Sequence, residues 1–345
     1  MPKLYVSGLI TSEFIKPVES TVYDVSLEAI HLFPFNIDDS KKIEIGWDYF
    51  ILWNQSELIL RGKKITNEKC GNKLQLPASV ISRLEQVIAG SENIFILTND
   101  SKIWIYNIYT DNWRRVPNFI TNLHNNDVEK INKINHSRCT IAMTDLGQIY
   151  NIPLLINNSS SVKFVDIACG FDHTLLLAEN GYVYSMGMGT RGQLGHGDLE
   201  DCDEPKLIEA LAGLKVTQIS AKGWHNAVIT DQGDLYTWGW NNHNQLGLNS
   251  IENVLALPTL VNFISSTMEE LEINVIKVQC GNQFTICRTD TGEFWGCGNN
   301  KYNQLGVSSH SLSTASKFEM LTYDNIIEPI QDFKCYEWSS CIFTN

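Results

Sequence analysis

An all-β fold, a seven-bladed β-propeller closed by strands from both ends of the chain, is predicted by three observations. The first is internal repetition. VDIACGFDHTLLLAENGYVYSMGMGTRGQLG begins at Val165, VTQISAKGWHNAVITDQGDLYTWGWNNHNQLG at Val216, and VIKVQCGNQFTICRTDTGEFWGCGNNKYNQLG at Val275. His173, His225 and Phe284 share one position, and Gly181, Gly233 and Gly292 each follow eight residues later. Matches at several fixed offsets mark a repeat protein, and a period near 50 residues fits four-stranded blades. The second observation is local: each unit consists of short β-branched and aromatic runs divided by turns such as Asp231-Gln232-Gly233. The third is that each end of the chain carries half a repeat. LYVSG at Leu4 matches the later half, and IQDFKCYEWSSCIFTN at Ile330 matches the earlier half.

The elements follow in order. The strand before each turn, as in 174–178, is nearly all apolar, which suits burial on both faces between neighbouring blades. The strand after it alternates, with Leu235, Thr237 and Gly239 against Tyr236 and Trp238. Weaker units at 43–62, 87–107 and 134–151 place Tyr49, Asn93 and Cys139 at the histidine position, and the last half-unit places Trp338 there. That makes seven units in a single propeller over 1–345. The step from 139 to 173 is only 34 residues, so the third unit is expected to have a trimmed outer part. Residues 3–8 are expected to pair with the two strands of 330–344 in one composite blade. Stretches 108–133, 248–274 and 307–329 carry no repeat signal and read as surface loops. Leu207, Ile208, Leu211 and Leu214 fit one or two helical turns, and the stretch 205–208 equally fits a blade's outer edge strand.

Composition narrows the function classes. The 345 residues are 43% hydrophobic and 19% charged, as in a folded chain, and no apolar run approaches the roughly 18 residues of a membrane span. The N-terminus lacks a signal-peptide pattern. The net charge of −13 opposes a phosphate backbone, and Lys41-Lys42, Lys63-Lys64 and Arg114-Arg115 are only pairs, so direct DNA binding is not expected. The nine cysteines contain no CxxC and read as small buried hydrophobes.

No residue pattern points to catalysis, a cofactor or a metal. His173 and His225 recur at one repeat position that Tyr49, Asn93, Cys139 and Phe284 fill elsewhere, which marks packing and not chemistry. HExxH, GxSxG and phosphate-binding GxxxxGK[ST] are missing. The QLG triplets at 193–195 and 245–247 read as structural, with the leucine packed between blades. The expected contacts with a partner lie in loops of units four to six: Arg191, His196, Asp198, Asp201, Trp240, Asn241 and His243, with Trp240 as anchor. The rival surface is Trp113, Arg114 and Arg115.

The pattern G-x-x-H-x-x-x-L-x-x-x-G-x-x-Y-x-x-G, followed by GQLG, resembles the repeats of the regulator of chromosome condensation family. The likeness is strong over 165–306 and weaker, but in phase, over 43–151. The segment GHGDLEDCDEPKLIEALAGLKVTQISAKGWHNAVITDQGDLYTWGWNNHNQLGL (195–248) is most similar to the family's small stand-alone members. That resemblance implies a nuclear, non-catalytic adaptor for a JmjC-domain, 2-oxoglutarate oxygenase, with roles in histone methylation and chromosome segregation, a possible presence in the cytoplasm as well, and only indirect contact with histones or chromatin proteins. The family's founding activity, guanine-nucleotide exchange on a nuclear Ran-type GTPase, is the alternative. The founder's basic tail is not expected here, because a strand begins by Leu4. A light-sensing role like that of the plant ultraviolet-B receptor needs arginines beside clustered tryptophans. The comparable stretches GWDYF (46–50) and KGWHN (222–226) hold none. A ubiquitin-ligase domain is not expected, because the seven units account for 1–345.

Overall fold

The computed structural model describes residues 3–9, 30–32, 42–62, 73–80, 82–120, 129–156, 162–265 and 267–344. Lys41, Lys63, Lys64 and Cys70 lie outside them. Seven antiparallel sheets of three or four strands succeed one another along the chain, as the blades of a seven-bladed propeller. The chain divides into two compact units, Met1–Asn36 with Ala168–Asn345, and Ile37–Ile167.

The smaller unit holds blades one to three. Blade one is Lys42–Ile45, Tyr49–Trp53 and Leu58–Gly62. Blade two is Leu84–Ala89, Asn93–Thr98, Ile103–Asn107 and Asn112–Arg115. Blade three is Ile131–His136, Thr140–Thr144, Ile149–Asn151 and Leu154–Leu155. Its outer strand has two residues, which accounts for the short step to the next unit. Tyr49, at the repeat position, donates its hydroxyl to the Gly90 carbonyl of blade two (2.6 Å). The third position of each inner strand makes another link: Gln86 brackets Ile134 through both its amide groups, and Lys133 pairs with Asp166.

The larger unit holds blades four to seven. Blade four is Phe164–Cys169, whose first residues cross the unit boundary, then His173–Ala178, Val183–Gly187 and Cys202–Leu207. Blade five is Val216–Lys222, His225–Thr230, Leu235–Trp240 and Val254–Leu260. Blade six is Val275–Cys280, Phe284–Thr289, Phe294–Asn299 and Thr314–Leu321. The second strands of blades four and five are buried at every residue, as their apolar sequences require. Leu194, Leu246 and Leu305 of the QLG loops are at most 1% exposed. After Leu207 the chain makes one short helical turn, Glu209–Leu211, so both readings of that stretch hold in part.

Blade seven is composite. Its order is Ile30–Leu32, Leu4–Gly8, Ser339–Thr344, Ile330–Cys335. The N-terminal strand has a neighbour on each side in this sheet. It pairs on one side with Ser339–Thr344 and on the other with Ile30–Leu32, not with both strands of the C-terminal half-repeat.

Strand register corrects two further expectations. Gly187, Gly239 and Gly298 pair with His173, His225 and Phe284, whereas Gly8 pairs with Ser339. Ser339 therefore holds the repeat position, and Trp338 precedes it. The three stretches read as loops contain the outer strands of blades two, five and six. Outer strands face solvent along much of their length, so little constrains their side chains and no repeat signal survives.

Gly239 shows what the repeat glycine does. Its φ is +105°, and a Cβ there would stand 2.5 Å from the Trp224 carbonyl oxygen. Only glycine relieves both constraints. The third strand can therefore leave the blade just where it meets the start of the second.

Candidate interaction site

The repeat histidines are staples. His173 Nε2 lies 2.7 Å from Asn226 Oδ1, in the next blade, and Asn226 Nδ2 donates to the Gln193 carbonyl (2.8 Å). One blade on, His225 Nε2 lies 2.8 Å from Thr285 Oγ1, which donates to the Gln245 carbonyl (2.8 Å). Ser340 repeats the last link, donating to Gln304 O. Because Asn226 and Thr285 spend their donors on carbonyls, each histidine must donate from Nε2. Both rings are buried and stay neutral, with burial as the main cause. Groups this enclosed cannot meet a substrate.

Immediately beside these staples, a different set of repeat positions reaches the surface. Asp172, Trp224, Gln283 and Trp338 each stand one residue before the staple position, and Arg191, His243 and Tyr302 each stand two residues before the QLG glutamine. Side chains from consecutive blades interleave there. Trp224 Nε1 donates to Asp172 Oδ2 (3.0 Å), and the Phe171 ring meets Trp224 edge-on at 4.9 Å. Arg191 Cζ lies 4.3 Å from the Trp224 centroid and 4.7 Å from that of Trp240. The two indoles are 5.2 Å apart at 84°, so the guanidinium occupies their corner. His243 continues the row at 6.2 Å from Trp240. Further round, Asn299 donates to Gln283 (2.9 Å), and Tyr302 meets Trp338 at 6.0 Å with Lys301 over the Tyr302 ring. The row spans blades four to seven.

The loop residues expected from sequence divide accordingly. Arg191, Trp240 and His243 come together in the row. Asn241 does not belong to the surface: it is 3% exposed, donates to Glu252 O, and accepts from Leu246 N. Asn300 braces blade six in the same way. His196 is half-buried against Ser185 Oγ (3.1 Å), and burial lowers its pKa, as it does that of His243. Asp201 and Asp198 are exposed, with Asp201 accepting from Gly189 N and Asp198 from Glu200 N. The rival residues occupy blade two's outer strand, where Trp113 packs on Tyr106 (4.9 Å) and Arg114 and Arg115 are exposed. Sequence reading missed Phe171, Asp172, Trp224, Tyr302 and Trp338. The sequence grouped Arg191 with Trp240, but its contact with Trp224 is visible only in the fold. Arg191 arrives from the preceding blade.

The profile of the regulator of chromosome condensation (RCC1) repeat matches residues 180–229 and 232–288, and a second RCC1-repeat profile matches 164–193, 216–245 and 275–304. Residues 164–304 thus match RCC1 repeats throughout. Among curated proteins, human RCC1 domain-containing protein 1 is 31% identical over 206 residues, which cover 50% of this chain and 54% of that protein. Mouse E3 ubiquitin-protein ligase HERC2 is 38% identical over 164 residues, 47% of this chain but 3% of that protein. The Arabidopsis thaliana ultraviolet-B receptor UVR8 is 34% identical over 158 residues, 45% of this chain and 34% of the receptor. The matched segment thus spans about half the length of RCC1 domain-containing protein 1 and far less of the other two. Among solved structures, human WBSCR16 superposes with a TM-score of 0.77 at 16% identity, covering 99% of this chain and 100% of that one. Prp20p from Saccharomyces cerevisiae gives 0.75 at 14%, covering 99% and 91%. The likeness in fold therefore extends over the whole chain, including the blades that the repeat profiles do not reach.

Proposed function

We propose that this RCC1-repeat propeller is a non-catalytic protein-interaction platform of the nucleus, and that the row from Phe171 to Trp338 is its binding face. The observation that carries this reading is the row itself. Four consecutive blades contribute aromatic and charged side chains to one surface, while the histidines beneath are consumed in staples. Aromatic residues and arginine are the residue types most often found at the energetic centre of protein interfaces. The partner we assign is a JmjC-type 2-oxoglutarate oxygenase, the partner expected from the resemblance to the family's small stand-alone members. The iron and the reaction belong to that partner, and any influence on histone methylation or chromosome segregation is exerted through it.

The test is a pull-down of the oxygenase with two sets of substitutions, each checked for folding by its melting temperature. Arg191→Glu with Trp240→Ala and His243→Ala is expected to reduce capture at least thirtyfold, about 2 kcal/mol for a central anchor. Trp113→Ala with Arg114→Glu and Arg115→Glu is expected to leave it unchanged. The reverse outcome moves the interface to blade two, and failure of the unmodified protein to bind removes the oxygenase. A second reading, guanine-nucleotide exchange on a Ran-type GTPase, is favoured by the whole-length likeness to Prp20p, a protein studied for its binding to Gsp1p and histones. Accelerated nucleotide release from the GTPase on adding this protein would establish that reading instead.

A further inference from the structure

We infer that Arg191 is a preorganised carboxylate receptor, and that it takes an isolated Asp or Glu side chain, flanked by apolar residues, from the protein partner. The inference rests on the interaction-platform reading and specifies the chemistry of its centre. Both ends of the Arg191 side chain are fixed. Its backbone N donates to Gln193 Oε1 (2.8 Å), and its guanidinium is held in the corner of Trp224 and Trp240. The corner is itself rigid. Trp224 is anchored through Asp172 and Phe171, and the Trp240 backbone N donates to the Trp224 carbonyl (2.8 Å).

With the indoles at 84° the guanidinium can lie face-on to only one of them, and the N–H groups on the edge away from the corner project outward. Among the described residues, the Arg191 side chain makes no hydrogen bond and has no carboxylate within 4.0 Å. Two other stacked cations of this unit differ. Arg288, over Phe294, donates to the carbonyls of Gln331 and Ile330, and Lys277, over Phe333, pairs with Asp332. Arg191 has the same aromatic support with its donors left over. Its fork matches a carboxylate in a bidentate pair, and the ordering cost that normally opposes such a pair is already met by the fold.

Two observations select the occupant. The net charge of −13 and the exposed Asp198, Glu200 and Asp201 on the same loop disfavour nucleic acid and long acidic tracts. Met188, which occupies in blade four the position of Trp240 in blade five, is 41% exposed, and Leu199 is 49% exposed. A single carboxylate with apolar neighbours satisfies both the cation and this surface.

The experiment follows the 15Nε–1Hε resonances of the arginine side chains while the protein is titrated with sodium acetate, and in a parallel arm with inorganic phosphate. The Arg191 signal is assigned by its loss in Arg191→Gln. Acetate is expected to give a saturable shift at Arg191, with an apparent affinity at least tenfold higher than at the exposed Arg114. Arg191→Lys, which keeps the charge but not the fork, is expected to reduce capture of the partner about as much as Arg191→Gln does. A shift no larger or tighter than that at Arg114 overturns the proposal. So does full partner capture by Arg191→Lys, which would reduce the role to charge alone. Phosphate binding ten times tighter than acetate overturns the carboxylate assignment. A concentration-dependent dimer that Arg191→Gln dissolves, seen by analytical ultracentrifugation, would make the occupant a second copy and overturn the foreign partner. The acetate arm needs no partner, so its failure leaves the pull-down result, and the platform reading, standing or falling separately.

Discussion

Removing residues 1–10 should abolish cooperative unfolding, or lower the unfolding free energy by about 5–8 kcal/mol. Leu4, Tyr5 and Val6 are 3%, 6% and 1% exposed, and burying each such side chain contributes roughly 1.5–3 kcal/mol. The strand they occupy has a neighbour on each side, so its loss strips the hydrogen-bonding edges of both Ser339–Thr344 and Ile30–Leu32. It also removes Tyr5 from a core shared with Ile30, Phe284, Phe294, Phe333 and Ile342 of blades six and seven, and leaves Ser340 Oγ without Ser7 Oγ, its neighbour at 2.7 Å. The loss is comparable with the whole stability of a typical domain, about 5–15 kcal/mol. Val6→Asp tests the same point without shortening the chain, because a carboxylate would then enter a site that excludes water. Denaturant unfolding followed by circular dichroism reads both. If the truncated chain unfolds at the same denaturant concentration as the full chain, blade seven does not depend on its N-terminal strand.

That the two chain ends share a blade was legible because strand identity in a repeat is fixed by position in the unit, and each end supplies the half that the other lacks. The last unit's alignment slipped by one residue for a physical reason. Where other units have Gly170 or Gly281 before the turn, this one has Tyr336, and the large Trp338 drew the alignment away from Ser339. Register, fixed by backbone pairing, is indifferent to side-chain size. The outer strands of blades two, five and six were not legible because half-exposed residues such as those of Val254–Leu260 need no particular apolar pattern.

The interaction row was legible only in pieces. Arg191 and Trp224 are far apart in sequence and occupy different positions of the repeat, and only blade-to-blade packing brings them to 4.3 Å. The signal that was available lay in residues that break the repeat without breaking the fold. At the position before the staple the chain reads Asp172, Trp224, Gln283 and Trp338, and two before the glutamine it reads Arg191, His243 and Tyr302. The QLG leucines Leu194, Leu246 and Leu305 are held to one kind of residue by packing between blades. Variation between bulky and charged residues at a fixed position shows that packing does not dictate it, and directs attention to the surface.

The staple histidines should make the protein acid-labile through a mechanism that substitution can isolate. Burial pushes His173 down to about 4 and His225 down to about 3, from an ordinary value of 6.5. At His173 the cause is visible in the geometry. Nε2 already donates to Asn226, and Nδ1 is buried with no partner among the described residues, so a second proton would have nothing to bond. A folded-state pKa below the unfolded value means that, between the two, the unfolded chain binds the proton and the folded chain does not. Stability from this source is therefore complete above about pH 6.5 and is lost as pH falls towards 4, at up to roughly 1.4 kcal/mol per pH unit for each histidine. By pH 4.5 the pair should have removed about 5 kcal/mol. His173→Gln with His225→Gln will lower stability at pH 7.5, since the amides fill these sites less well and loosen the links to Asn226 and Thr285. It should also flatten the decline between pH 6.5 and 4.5, while carboxylates elsewhere titrate equally in both proteins. Urea unfolding at half-unit steps of pH measures the difference in slope directly. Parallel pH profiles for the two proteins would mean that the buried histidines carry no proton linkage and that the staple contributes through packing alone.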